Sequence, residues 1–268
     1  MSVRDRLKRY PRVYWPARRA RAAAMGVLPP KAFAGVPGRI HRNDTMIPKL
    51  TADHASGYNA SGAEAADFVV AAAPSATEIL DLGCGYGRVL RQLKVRYPDA
   101  RLTACDIEPG AARFCAREFG AVPVVSQERL DRVDFPTAPY DLIWMGSLLT
   151  HLDAAANTSV LDGLARIVRP DAVLVFTTHG PDLVPELERY GPGLGRHVTE
   201  VDAAMRAGFA YVSYPHYADG SYGISFHEPG HVDALVAGSF GASERVTYES
   251  RGWGRHQDVH AFRVAPKP

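Results

Sequence analysis

Residues 79–93 read ILDLGCGYGRVLRQL, and these fifteen positions decide the fold. An apolar run ends in Asp81 and Leu82, glycines follow at 83, 85 and 87, and Val89, Leu90 and Leu93 then share one helical face before Pro98. The pattern predicts a buried strand over residues 77–82, a glycine loop, and a helix over residues 86–97 that proline stops. Glycines there let the backbone turn tightly and approach a ligand, while the first helical amides meet its polar groups. A dinucleotide fingerprint would require glycines at 83, 85 and 88. Position 88 is arginine, the third glycine is at 87 and an acid precedes the loop, which argues against a nicotinamide cofactor.

Outward from this stretch, strand and helix alternate. Residues 101–106, 122–125, 140–145 and 172–177 read as further strands, with helices after Pro109 and from about Asp153 to Val168 between them. Parallel neighbours need such crossovers, so the fold class is α/β: a doubly wound, Rossmann-like, mostly parallel sheet. Two β-like runs, 244–250 and 258–264, follow a helix near residues 229–240; their short connection makes them an antiparallel pair and brings the sheet to seven strands. An insertion over about 180–228, with a hairpin around Ala218-Asp219-Gly220, reads as a pocket wall or lid. Upstream, Ser61 and Glu64 have capping-box spacing, so the domain is expected to span 61–268 and to begin with a helix at Ser61. Residues 1–60 read as an irregular Pro- and Gly-rich arm, of which 1–50 are expected to be dispensable for folding.

Composition bounds the function classes. The 268 residues are 46% hydrophobic, no apolar run approaches a membrane span, and the charged N-terminus does not read as a signal peptide, so a cytoplasmic chain is expected. Cys84, Cys105 and Cys115 lack paired spacing, which supports neither a disulfide framework nor a metal knuckle. Residues 1–50 hold twelve Lys or Arg against Asp5 and Asp44, a net of +10, leaving −8 on the remainder. Pro11 and Pro16 interrupt any long basic helix, so the arm is read as docked on its own domain or as a lid, in preference to a nucleic-acid site.

Asp106 ends the second strand 25 residues after Asp81, where a carboxylate accepts hydrogen bonds from a ribose diol or, alternatively, caps a helix. Together, the acid before GxGxG and the acid on strand two resemble the class I S-adenosylmethionine-dependent methyltransferases. The run SLLTHLD and the stretch RGWGRHQDV resemble a bacterial group associated with surface-glycan and secondary-metabolite pathways. The resemblance implies S-adenosyl-L-methionine as cofactor. It places the methionine amine on Asp81, the cofactor backbone along Gly83, Cys84, Gly85 and Gly87, the ribose on Asp106 and the adenine under Ile107. Gln127, after strand three, is a further adenine-side candidate, and Met145 and Gly146 lie beneath the methionine part. The sequence departs from the family pattern at Pro170-Asp171-Ala172, where Pro-Gly-Gly is usual.

In-line methyl transfer draws on positioning and needs no metal, but a hydroxyl nucleophile needs a base. His151, just past strand four, matches the place of a histidine in related enzymes, and His179 follows strand five on the same edge; a backbone-bonding or pocket-lining role is the alternative for each. His227 and His231 have i, i+4 spacing, yet Pro229 and Gly230 between them spoil a metal-ligating face. Tyr211, Tyr214, Tyr217 and Tyr222 read as lid packing, and Trp253, His256 and Gln257 as a substrate mouth or a strand turn. The expected activity is methyl transfer to an oxygen of a small acceptor, a sugar, glycan or secondary-metabolite hydroxyl. A non-catalytic cofactor-binding subunit, or RNA methylation using the arm, are the other readings.

Overall fold

The computed structural model describes residues 35–47, 52–214 and 222–267. The basic stretch before residue 35 and the expected hairpin tip, including Tyr217 and Ala218-Asp219-Gly220, lie outside them.

The seven-stranded sheet has the order β3-β2-β1-β4-β5-β9-β8. β1 (Glu78–Leu82), β2 (Arg101–Asp106), β3 (Val122–Val125), β4 (Tyr140–Met145) and β5 (Val168–Thr178) run parallel. β8 (Ala242–Trp253) and β9 (Gln257–Ala265) form the antiparallel pair, with β9 beside β5. β1 and β4 are central and buried along almost their whole length, as expected of apolar strands covered on both faces.

One core layer joins Ile79, Leu90, Leu93, Phe114, Trp144 and Val175; the other joins Leu80, Ile143, Leu161, Leu174, Phe176 and Phe262. α1 (Ala52–Ala72), α2 (Leu90–Arg96) and α3 (Pro109–Phe119) flank the first layer; α4 (Ala154–Leu164) and α6 (Pro229–Ser239) flank the second. Local chemistry sets their ends. Pro109 opens α3, Glu108 accepts from the Gly110 amide, and Gly120 closes it in the left-handed region at φ 69°. Asp153 caps α4 by accepting from the Ala156 amide at 2.8 Å.

Two expectations are corrected. α1 begins at Ala52, so Ser61 and Glu64 sit inside it and form no capping box. The Ser61 carbonyl instead accepts from the Trp253 indole at 2.8 Å, and Glu64 accepts from the Gly254 amide at 3.0 Å, tying α1 to the β8–β9 turn 190 residues later. Residues 35–47, expected to be dispensable for folding, pack against the domain. Ile40 and Ile47 pack with Ala55 and Tyr58, the Tyr58 hydroxyl donates to Asp44 at 2.7 Å, and Arg91 donates to the Pro37 carbonyl at 2.9 Å.

The insertion forms a cap with its own small core. Two 3₁₀ segments, Pro181–Tyr190 and Leu194–His197, lead into α5 (Val198–Met205) and the antiparallel hairpin β6 (Phe209–Ser213) and β7 (Gly223–His227). Leu183, Leu187, Leu194, Val201, Met205, Ile224 and Phe226 pack together beneath it. The cap is pinned to the sheet edge where the Ser225 hydroxyl donates to the Leu149 carbonyl at 2.7 Å and the His227 amide donates to the His179 carbonyl at 2.8 Å.

Candidate functional site at the carboxyl edge of the sheet

The carboxyl ends of the parallel strands open into a cavity of about 880 Å³. The glycine loop forms one wall, residues 42–46 another, and the cap, with Tyr190 and Tyr222, a third; Trp253, His256 and Gln257 close the far side.

Asp81, next to last in β1, is 2% exposed, accepts no hydrogen bond among the described residues, and has its Oδ2 fully buried. Burial, followed by the nearby Asp106 charge, raises its carboxyl to about 8. The Asp106 Oδ2 accepts from the Gly85 amide at 2.7 Å and its Oδ1 from the Glu108 amide at 2.8 Å, so it braces the glycine loop, yet Glu108 is the cap of α3. A carboxylate oxygen has two lone pairs, which leaves each of these oxygens one acceptor position. Gly85, at φ 52°, has open space where a side chain would stand. Gly87, at φ 77°, is required by packing: a Cβ there would lie 2.3 Å from the Phe119 ring.

His151 is held by the cap. Its Nδ1 lies 2.9 Å from the Gly223 carbonyl, and its ring stacks on Tyr222 at 4.8 Å. A carbonyl oxygen accepts only, so Nδ1 carries the proton and Nε2 keeps its lone pair. Burial lowers the pKa and keeps the ring neutral. His179 is bonded similarly to the Ser225 carbonyl at 3.2 Å, but burial and then the neighbouring His151 push its pKa down to about 3. Ser147, just past β4, adopts φ 57°, held by its amide's bond to Thr177 at 2.8 Å and by the Gln257 amide nitrogen on its hydroxyl at 2.5 Å.

Of the residues expected at the site, Asp81, Gly83, Cys84, Gly85, Asp106, Gly146, His151 and His179 line the cavity. Gly87, Ile107, Gln127 and Met145 do not: Ile107 is 66% exposed beside Asp106, Gln127 is exposed after β3, and Met145 is fully buried in the second core layer. Trp253, His256 and Gln257 all reach the cavity, and Tyr222 joins its wall. His227 and His231 stand with ring centroids 5.7 Å apart, and no group of three metal-ligating side chains occurs among the described residues. No described helix is long and apolar enough to cross a membrane. Sequence reasoning missed Arg42 to Met46, Ser147 and Tyr190, which carry no local signature, and treated Arg88 merely as a broken glycine motif.

The site fits S-adenosylmethionine on its own chemistry. A buried, unpaired acid awaits a cationic group, a glycine loop leaves room against the backbone, and a second acid retains acceptor positions at the end of β2. The family described as "Methyltransferase domain" matches residues 79–171, which include the glycine loop, both acids and the end of β4.

Over residues 79–171 the chain is similar to methyltransferase domains.

Among curated relatives, a malonyl-[acyl-carrier protein] O-methyltransferase from Laribacter hongkongensis is 30% identical over 151 residues, 49% of this chain and 50% of that protein. A protein of the same name from Dechloromonas aromatica is 28% identical over 165 residues, 60% of this chain and 50% of its own. The chain thus spans about half the length of the curated relatives it matches. Among solved structures, the N-terminal domain of EvdMO1, with SAH bound, superposes at TM-score 0.53 and 17% identity, covering 100% of this chain and 98% of that one. The Burkholderia thailandensis 1,6-didemethyltoxoflavin-N1-methyltransferase superposes at 0.54 and 17%, covering 80% and 86%. At these identities the structural likeness establishes the methyltransferase fold.

Proposed function

We propose that the protein transfers a methyl group from S-adenosylmethionine to a hydroxyl oxygen of a small acceptor, a sugar or secondary metabolite bound beneath the cap, in the cytoplasm. The observation that carries this reading is His151: a neutral, desolvated imidazole on the cavity wall, with its proton committed to Gly223 and Nε2 left as a base. The bound cofactor supplies an electrophilic sulfonium methyl. Asp81 and Asp106 would hold its amine and ribose hydroxyls, and the glycine loop its backbone.

The acceptor would enter past Tyr190 and Tyr222, whose rings exclude water. As its oxygen is methylated, His151 Nε2 takes the hydroxyl proton, and the Gly223 carbonyl stabilises the imidazolium through Nδ1–H. His179, at about 3, is too weak a base to share this task and serves as a wall.

A second reading is favoured by the curated relatives, whose names specify a malonyl group on a carrier protein. A carboxylate acceptor is already ionised and needs no base. His151→Ala therefore separates the two. With labelled methyl donor and a panel of D-fucose, a catechol and a malonyl thioester, hydroxyl methylation should fall roughly 100- to 10,000-fold while S-adenosylhomocysteine affinity stays nearly unchanged. Turnover of the malonyl thioester that ignores the substitution would move the assignment to the carrier-bound acid.

A further inference from the structure

The histidines that follow β4 and β5 are held in the same way, by alternate carbonyls of one strand. His151 Nδ1 lies 2.9 Å from the Gly223 carbonyl and His179 Nδ1 lies 3.2 Å from the Ser225 carbonyl, both on β7. Residues two apart in a strand turn their carbonyls to the same edge, about 7 Å from one another. Each ring also rests on a tyrosine at the cavity wall, His151 on Tyr222 with centroids 4.8 Å apart and His179 on Tyr190 at 4.9 Å.

The result is a matched pair of open nitrogens. A carbonyl only accepts, so both rings carry their proton on Nδ1 and both Nε2 atoms keep a lone pair. Neither Nε2 makes a hydrogen bond with a described residue, and both histidines line the cavity. His179 is 2% exposed, and burial followed by the neighbouring His151 lowers its pKa to about 3, so its Nε2 accepts a hydrogen bond without taking the proton. An acceptor in such surroundings costs free energy when it is left unfilled. A carboxylate brings no proton and would set its own lone pairs against both nitrogens. A single hydroxyl would fill only one of them.

We propose that the acceptor is a diol: His151 receives the proton of the hydroxyl that is methylated, and His179 Nε2 accepts a hydrogen bond from a second hydroxyl of the same molecule, which keeps its proton. This inference rests on the hydroxyl-methylation reading and narrows its substrate class. It makes His179 a specificity-determining residue that disfavours monohydroxylated compounds and carboxylates.

The test measures kcat/KM with labelled methyl donor on matched pairs, catechol against phenol and D-fucose against its mono-deoxy forms. For the unaltered protein, loss of the second hydroxyl should lower kcat/KM roughly 5- to 150-fold, the range for leaving a buried acceptor unfilled. His179→Phe should lower kcat/KM for the diol by a similar factor and bring each pair to within about threefold, so the two losses are not additive. His179→Gln, which keeps a side-chain acceptor, should retain part of the preference and covers the case in which the phenylalanine variant fails to fold. S-adenosylhomocysteine affinity near that of the unaltered protein identifies the variants whose site is intact. Equal rates within the pairs, or a preference that survives His179→Phe, overturns the diol subsite and leaves hydroxyl methylation standing. If no hydroxyl compound is labelled by the unaltered protein, the hydroxyl reading itself falls, and the subsite with it.

Discussion

Cofactor affinity should depend on pH through Asp81. Burial penalises the charged form of this carboxyl and Asp106 adds like-charge repulsion, which together push it up to about 8. At pH 7 roughly nine molecules in ten then carry the proton. An ammonium partner requires the carboxylate, so binding must expel that proton. Well below 8 each pH unit costs about 1.4 kcal/mol, so affinity for S-adenosylhomocysteine should rise about 50-fold between pH 6 and 8 and level off about twofold higher. Calorimetry at pH 7 in two buffers of different ionisation enthalpy should record release of close to one proton per site. Asp81→Asn should abolish both the release and the slope.

Folding stability measured without ligand should move the other way. The folded state keeps the Asp81 proton up to pH about 8, while the unfolded chain releases it near 3.8, so stability declines as pH rises through that window. Asp81→Asn should accordingly raise the melting temperature at pH 9 and change it little near pH 4. An affinity that is flat with pH, or a slope that survives in Asp81→Asn, would refute the argument.

Two further outcomes follow from the same geometry. Asp106→Ala should weaken S-adenosylhomocysteine by about 1.5 to 3 kcal/mol, since it removes acceptors for the ribose and the brace on the Gly85 amide; titration of the variant measures it, and unchanged affinity would assign Asp106 to loop structure alone. Removing residues 1–34 should leave the melting temperature and cofactor affinity unchanged. Removal through residue 47 should instead cost roughly 3 to 6 kcal/mol of burial at Ile40 and Ile47 and weaken the ligand through loss of the 42–46 wall, as chemical denaturation and calorimetry would record.

Much of the sheet was legible because its determinants are local. The five parallel strands, the entry of α3 at Pro109 with its exit at Gly120, and the closing antiparallel pair all follow from apolar runs, prolines and glycines spaced within a few residues. The glycine loop and the two acids were legible for the same reason: strand, turn and helix place them at one sheet edge whatever surrounds them. Capping-box spacing misled at Ser61 because Glu64 has a stronger use across the fold, on the Gly254 amide, and α1 continues back to Ala52 by packing Ala55 and Tyr58 against Ile40 and Ile47.

What tertiary structure alone decided is which side chains share the cavity and in what chemical state. His151 could be named from its distance past β4, but its tautomer depends on the carbonyl of Gly223, 72 residues away, and its neutrality on the cap that buries it. His179 occupies an equally suggestive position in the sequence, yet its surroundings hold it near 3 and remove it as a base. Arg88 reads in the sequence as a break in a glycine motif, whereas in the fold its guanidinium lies over the ring of Trp253, from the far end of the chain. A sequence specifies residue types and local periods, whereas protonation, pairing and access are set by desolvation and by neighbours brought together from distant parts of the chain.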